Sequence, residues 1–243
     1  MRRNTAASPG TREIVADAAV FRGVADRRFP LSFLRHETLT ASPEGSLRGF
    51  VLLKGKMITI VSGLPRSGTS LMMQMLDAGG LPVLSDGERK ADTDNPRGYL
   101  EWERIKQLPK AASLIVEAEG KAVKVISHLL LSLPENHEYH VVFMQRPLPE
   151  VLKSQDEMLR RRGAEASNTG TAAIEEAFQR HLIEVNKWLG TQSNMKVLRV
   201  HYHRVLREPR AVAVEVASFL PVPLDVEAMV GQVDGSLYRN RMK

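Results

Sequence analysis

The sequence predicts an α/β fold of three layers, α/β/α, with a central parallel sheet, and three observations predict it. Apolar, β-branched runs at 58–61, 122–126, 139–145 and 196–200 read as buried strands. Segments at 67–76, 148–162, 171–189 and 209–220 read as helices. Strands and helices alternate along the chain, so successive strands need crossovers, and crossovers make a sheet parallel and cover both of its faces.

Residues 1–56 stand apart. Ala, Arg, Ser, Gly and Pro dominate them, with room for one short helix near 14–22, so they are expected to form a poorly ordered leader to a domain spanning 57–243. Their apolar stretch is too short and too interrupted for a signal peptide. The first strand begins after Met57. The helix that follows stops at Asp77-Ala-Gly-Gly80, a short strand is expected at 81–84, and a charged loop leads to a turn at Asn95-Pro-Arg-Gly98. A helical stretch broken at Pro109 reaches about Glu119. After the strands at 122–126 and 139–145, Pro147 and Pro149 suit the first turn of a helix. The helix at 171–189 carries Ile174, Ala177, Phe178, Leu182, Val185 and Leu189 on one face, and residues from 225 onward read as a tail.

Composition narrows the function classes. No apolar run approaches the roughly 18 residues that cross a bilayer, so no membrane span is expected. The absence of cysteine removes disulfides and thiolate metal sites and fits a cytoplasmic setting. The net charge of +6 divides unevenly: residues 1–56 carry ten Lys/Arg against five Asp/Glu, which leaves 24 against 23 in the rest. The main body is near neutral, and no nucleic-acid surface is read from it.

The most informative stretch runs from Met57 to Leu76. An apolar strand enters a small-residue loop, and a helix leaves it, which aims backbone N–H groups and the positive end of a helix dipole at one spot. Such a loop binds phosphate. The nucleotide-triphosphatase pattern G-x-x-x-x-G-K-[ST] is met at Gly63, Gly68 and Ser70, but Thr69 stands in the lysine's place and the cation has moved to Arg66. No apolar strand ends in an Asp that would complete a Mg²⁺ site, and the strand at 139–145 runs into Arg146. Both departures point away from a triphosphate.

At these residues the chain resembles the sulfotransferases that use 3′-phosphoadenylyl sulfate (PAPS). Pro65, Arg66, Ser67, Gly68, Thr69 and Ser70 match that family's P-[KR]-S-G-T-[ST] loop for the 5′-phosphosulfate. A second element matches the family's 3′-phosphate site, an Arg at a strand end and a Ser eight residues on, here Arg146 and Ser154. The resemblance, which spans 57–243, implies a PAPS donor site on these residues, with Arg66 at the bridging oxygen, and no catalytic metal. Tyr202, in the segment from His201 to Pro209, resembles the Y-E-D-L segment of bacterial members, with His203 in place of the Glu, and Arg239 or Arg241 matches a tail cation of the family. The implied acceptor is a small molecule, carbohydrate or lipid.

The base that takes the acceptor proton has several candidates. Glu101 follows the Asn95–Gly98 reversal, His128 follows the Lys124 strand, and Asp86 and Glu88 lie in the charged loop. A carboxylate with a raised pKa or a neutral histidine would serve. Two other readings compete with the transferase. One is a nucleotide or small-molecule kinase with a degenerate phosphate loop, and the other is a nucleotide-binding protein without catalysis.

Overall fold

The structure, a computed structural model, describes residues 57–92, 95, 97–161 and 171–234. The expectations for residues 1–56 and for Arg239 and Arg241 lie outside them. Among the described residues four strands form one sheet: β1 (Ile58–Gly63), β2 (Ala122–Lys124), β3 (Tyr139–Gln145) and β4 (Met195–His201). All neighbours are parallel, in the order β2-β1-β3-β4. β1 therefore sits inside the sheet, and every one of its residues is buried. A strand covered on both faces is mostly apolar, as here, where only the small Thr59 and Ser62 interrupt the run.

Alternation along each strand sends side chains to two cores. Ile58 and Ile60 of β1, Val123 of β2 and Tyr139, Val141 and Phe143 of β3 pack with Val185 and Leu189 of the helix Thr171–Leu189. On the opposite face Val61, Val142, Met144 and Val200 meet Met72, Met73, Met75 and Leu76 of the helix Thr69–Ala78. Val212, Ala213 and Val216 of the helix Pro209–Phe219 complete this second core with Met229 of Val226–Val230. The result is the α/β/α arrangement expected. In chain order the helices are α1 (Thr69–Ala78), α2 (Leu148–Arg161), α3 (Thr171–Leu189), α4 (Tyr202–Arg207), α5 (Pro209–Phe219) and α6 (Val226–Val230). No helix of the described residues is long and apolar enough to cross a membrane.

Four local expectations are corrected. The strand at 81–84 shrinks to one bridge, Val83 against Ala122: Pro82 offers its carbonyl to Ala122 N and Leu84 N bonds back, but proline has no N–H to extend the ladder. The stretch from 103 to 119 is two 3₁₀ segments, Glu103–Gln107 and Ala112–Ala118, on either side of Pro109. β2 ends at Lys124, two residues early, and a 3₁₀ turn over Ser127–Ser132 follows. The tail after 225 holds α6, whose N-cap Asp225 accepts from Ala228 N at 3.0 Å.

Parallel pairing is what builds the site. Register sets Val61 beside Lys124 and Gly63 beside Met144, so β1, β2 and β3 all deliver their carboxyl ends to one edge of the sheet. The loop after β1 and Arg146 after β3 both fall there, where α/β sheets bind ligands.

Candidate functional site

The loop after β1 has the backbone that its sequence demands. Gly63 and Gly68 take φ of 146° and 98°, and a Cβ at Gly68 would stand 2.4 Å from Cδ2 of Tyr202. Glycine is required there on both counts. Arg66 is itself left-handed, with φ 70°, a strained conformation for a side chain of its size. Its carbonyl accepts from Arg146 Nη1 at 3.0 Å, which ties the strained peptide to the end of β3. α1 then starts at Thr69 without a side-chain cap, its backbone ladder opening with Met72 N to Gly68 O. An uncapped helix N-terminus offers N–H donors and a partial positive charge. Ser67 Oγ adds a buried hydroxyl: the residue is 1% exposed and this oxygen has no hydrogen-bond partner among the described residues. A buried hydroxyl without a partner costs free energy that an anion in the loop would recover.

The second expected element lies against the first. Arg66 Nε donates to Ser154 Oγ at 3.0 Å, so Ser154, on the first turns of α2, directs the loop's cation. Arg146 lies with its guanidinium 4.7 Å from the centre of the Tyr202 ring, and its Nε donates to Glu150 Oε2 at 3.0 Å. His203 Nε2 stands 2.9 Å from the same oxygen. Burial raises the Tyr202 hydroxyl pKa, while the fields of Arg146 and Arg66 pull the other way. Tyr202, Arg146, Arg66, Ser154, Gly68 and their neighbours thus form one cluster.

On the other side of the loop the ends of β1 and β2 bring a lysine that belongs to neither sequence motif. Lys124 Nζ donates to Ser70 Oγ at 2.9 Å and to the carbonyl of Tyr99, and it pairs with Glu101 Oε1 at 3.3 Å. In a triphosphatase loop the hydroxyl at the Ser70 position holds Mg²⁺. Here it faces an ammonium. Glu101 is positioned by the turn from Asn95 to Gly98, closed by Gly98 N to Asn95 O and pinned to α1 by Gln74 Nε2, which donates to Asn95 Oδ1 and to the Gly98 carbonyl. Leu100, with φ 48°, turns the chain once more before Glu101.

The electrostatics correct one expectation. Burial would raise the Glu101 carboxyl, but the Lys124 ammonium and the Arg89 guanidinium, which donates to both carboxylate oxygens, outweigh it and hold the group below the usual carboxylate range. A raised pKa was the expectation for a base. Lys124 answers differently: burial pushes its ammonium down to about 8 against the pull of Glu101. The two directions agree once exposure is compared, 3% for the lysine side chain and 21% for the glutamate, because the drier partner bears more of the desolvation cost.

The lowered Lys124 pKa makes stability depend on pH. Between pH 8 and 10.5 the unfolded chain holds a proton on Lys124 that the folded chain has released, so this group makes stability rise with pH across that window. Below it the folded ammonium depends on Glu101. Glu101→Gln is therefore expected to cost about 2 kcal/mol at pH 7, less than a fully buried pair because Glu101 is partly solvated. At pH 9.5 the cost should shrink, since Lys124 is then neutral in both proteins. Urea unfolding of both proteins at the two pH values checks this, and an equal cost at both would refute it.

The remaining base candidates have structural occupations. Asp86 accepts from Glu88 N and Glu103 N, a bracing role for its loop, and Glu88 is exposed. His128 stands beside His181 of α3, ring centres 6.0 Å apart, while His181 Nε2 lies 2.9 Å from Ser127 Oγ. Burial, with the field of His128, holds His181 down near 4, as in a neutral histidine satisfied in a core. Among the described residues no group of three His, Asp or Glu side chains suits a metal ion.

No family model matches the chain, and no curated protein matches its sequence. Solved structures do show likeness. The sulfotransferase domain from the curacin biosynthetic pathway is 15% identical, with a TM-score of 0.45 over 76% of this chain and 80% of that one. Sulfotransferase STF1 from Mycobacterium tuberculosis H37Rv is also 15% identical, with a TM-score of 0.46 over 73% and 70%. An unliganded sugar kinase from Janibacter sp. HTCC2649 is 10% identical, with a TM-score of 0.36 over 74% and 99%. At such identities the reaction has to be read from the site.

Proposed function

We propose that this chain is a sulfotransferase that takes a sulfuryl group from PAPS and delivers it to a hydroxyl or amine of a small-molecule, carbohydrate or lipid acceptor. One observation carries the reading. The two sequence motifs, 80 residues apart, meet at one edge of the sheet, with Arg146 on the Arg66 carbonyl and Arg66 on Ser154. A donor with a phosphosulfate at one end and a 3′-phosphate at the other needs two such sites side by side.

The donor fits the residues present. Backbone N–H groups of Ser67, Gly68, Thr69 and Ser70, with the orphan Ser67 hydroxyl, would hold the 5′-phosphate on the α1 dipole, and Pro65 would fix the entry to the turn. Arg146, Ser154 and Tyr202 would hold the 3′-phosphate end, with Arg239 as a further proposed contact. PAPS supplies an activated sulfur whose bond to the bridging oxygen breaks as a bond to the acceptor forms. Arg66 then neutralises the charge that grows on the bridging oxygen. Lys124, at Ser70, adds a second cation on the acceptor side without a metal. The acceptor loses a proton, which Glu101 is positioned to take; its lowered pKa keeps it ionised and ready, though a weaker base than one with a raised pKa. His128, four residues past Lys124 in the chain, is the alternative base in this proposal. A cytoplasmic setting is part of this proposal.

The test is calorimetric titration with adenosine 3′,5′-bisphosphate, with and without Mg²⁺, and with ATP. Metal-independent binding on the order of micromolar and much weaker binding of ATP are expected. Preference for Mg²⁺-ATP would overturn the reading in favour of a kinase, and bisphosphate binding with no transfer to any member of a broad acceptor panel would leave a nucleotide-binding protein without catalysis.

A further inference from the structure

One carboxylate in this region has no part in the chemistry above. Glu150, in the first turn of α2, is 2% exposed, and its Oε2 is shared by two partners from different elements: Arg146 Nε at 3.0 Å and His203 Nε2 at 2.9 Å. A negative charge buried beside an anion site opposes anion binding, so its presence calls for a compensating role. The geometry supplies one. Arg146 Nε is held by Glu150, its Nη1 by the Arg66 carbonyl and its face by the Tyr202 ring, so the plane of the guanidinium is set from three directions. The Arg side chain has several rotatable bonds, and a fork binds phosphate well only when its plane is already set. His203, on α4, reaches the far side of the same carboxylate oxygen and keeps Glu150 from turning away.

We propose that Glu150 and His203 are positioning residues that orient Arg146 and so set the selectivity for a 3′-phosphate. This rests on the donor-site reading. Both groups are linked to the proposed 3′-phosphate site through Arg146, so their removal should act on the 3′ end alone.

The readout is a ratio, the Kd of adenosine 5′-phosphate over that of adenosine 3′,5′-bisphosphate, measured by calorimetry on the full chain. A purely structural role would weaken both ligands together and leave the ratio unchanged. Glu150→Ala is expected to lower the ratio at least tenfold, with the monophosphate Kd changed less than threefold. Glu150→Gln, which keeps an acceptor for Arg146 Nε and removes the opposing charge, should restore the ratio to wild type or above it. His203→Ala tests the outer partner at a half-exposed position that tolerates truncation, and should lower the ratio about threefold. It also stands in should Glu150→Ala fail to fold. An unchanged ratio in His203→Ala, and in Glu150→Ala where it folds, overturns the positioning role while leaving the donor site intact. A wild-type protein that does not prefer the bisphosphate overturns the donor-site reading, and this proposal with it.

Discussion

Arg66→Ala is expected to slow conversion of PAPS to the bisphosphate by roughly 10²- to 10³-fold, the usual loss when one preorganised charge-stabilising donor is removed. Affinity for the bisphosphate itself should change by less than about tenfold, because the backbone N–H groups of the loop and the α1 dipole remain. The asymmetry arises from where Arg66 sits. Its backbone is strained at φ 70°, its side chain is aimed by Ser154, and its field reaches both Tyr99 and Tyr202, on opposite sides of the loop. A cation placed between the two halves of the site meets charge that grows on a bridging atom, which is largest in the transition state. Arg66→Lys keeps the charge and loses the planar fork and the Nε bond, so an intermediate rate is expected. Slow hydrolysis of the donor by water supplies the assay while the acceptor is being sought. A bisphosphate Kd that rises as much as the rate falls would mean that Arg66 binds the ground state and does no more.

Arg146→Ala is expected to weaken the bisphosphate by about 100-fold or more, the loss of a charge-assisted, oriented phosphate contact worth about 3 kcal/mol. Adenosine 5′-phosphate should lose less than about tenfold. That smaller loss has its own cause, since Arg146 also holds the strained Arg66 carbonyl, and without it the loop pays more to adopt its binding conformation. The substitution leaves Glu150 buried beside His203, so thermal unfolding of the same variant should be followed to show that the chain is folded when affinity is read. Equal losses for the two nucleotides would contradict a 3′-phosphate site at Arg146.

Local pattern carried much of this molecule. The run from Ile58 through Leu76 could be read as strand, loop and helix because apolar periodicity, two glycines and an apolar helix face lie in one short stretch. The spacing from Arg146 to Ser154 is also local, since one lies just past the end of β3 and the other in the second turn of the helix that follows. The sequence could mislead where a residue type suits two structures. The 103–119 stretch has the composition of a helix and forms two 3₁₀ segments, and the 81–84 run has the composition of a strand and makes one bridge.

What the sequence by itself determined is the sheet-and-helix alternation, the phosphate-type loop with its cation displaced to Arg66, and the Arg146 and Ser154 pair. These rest on period, spacing and backbone permissiveness, which act over a few residues. Only the tertiary structure decided that Lys124 faces Ser70, that Glu101 is held below its usual pKa rather than above it, and that Glu150 is shared by Arg146 and His203. The physical reason is that desolvation and charge pairing depend on which strand ends lie side by side. That neighbourhood is set by the order β2-β1-β3-β4 and its register, and no window along the chain contains it.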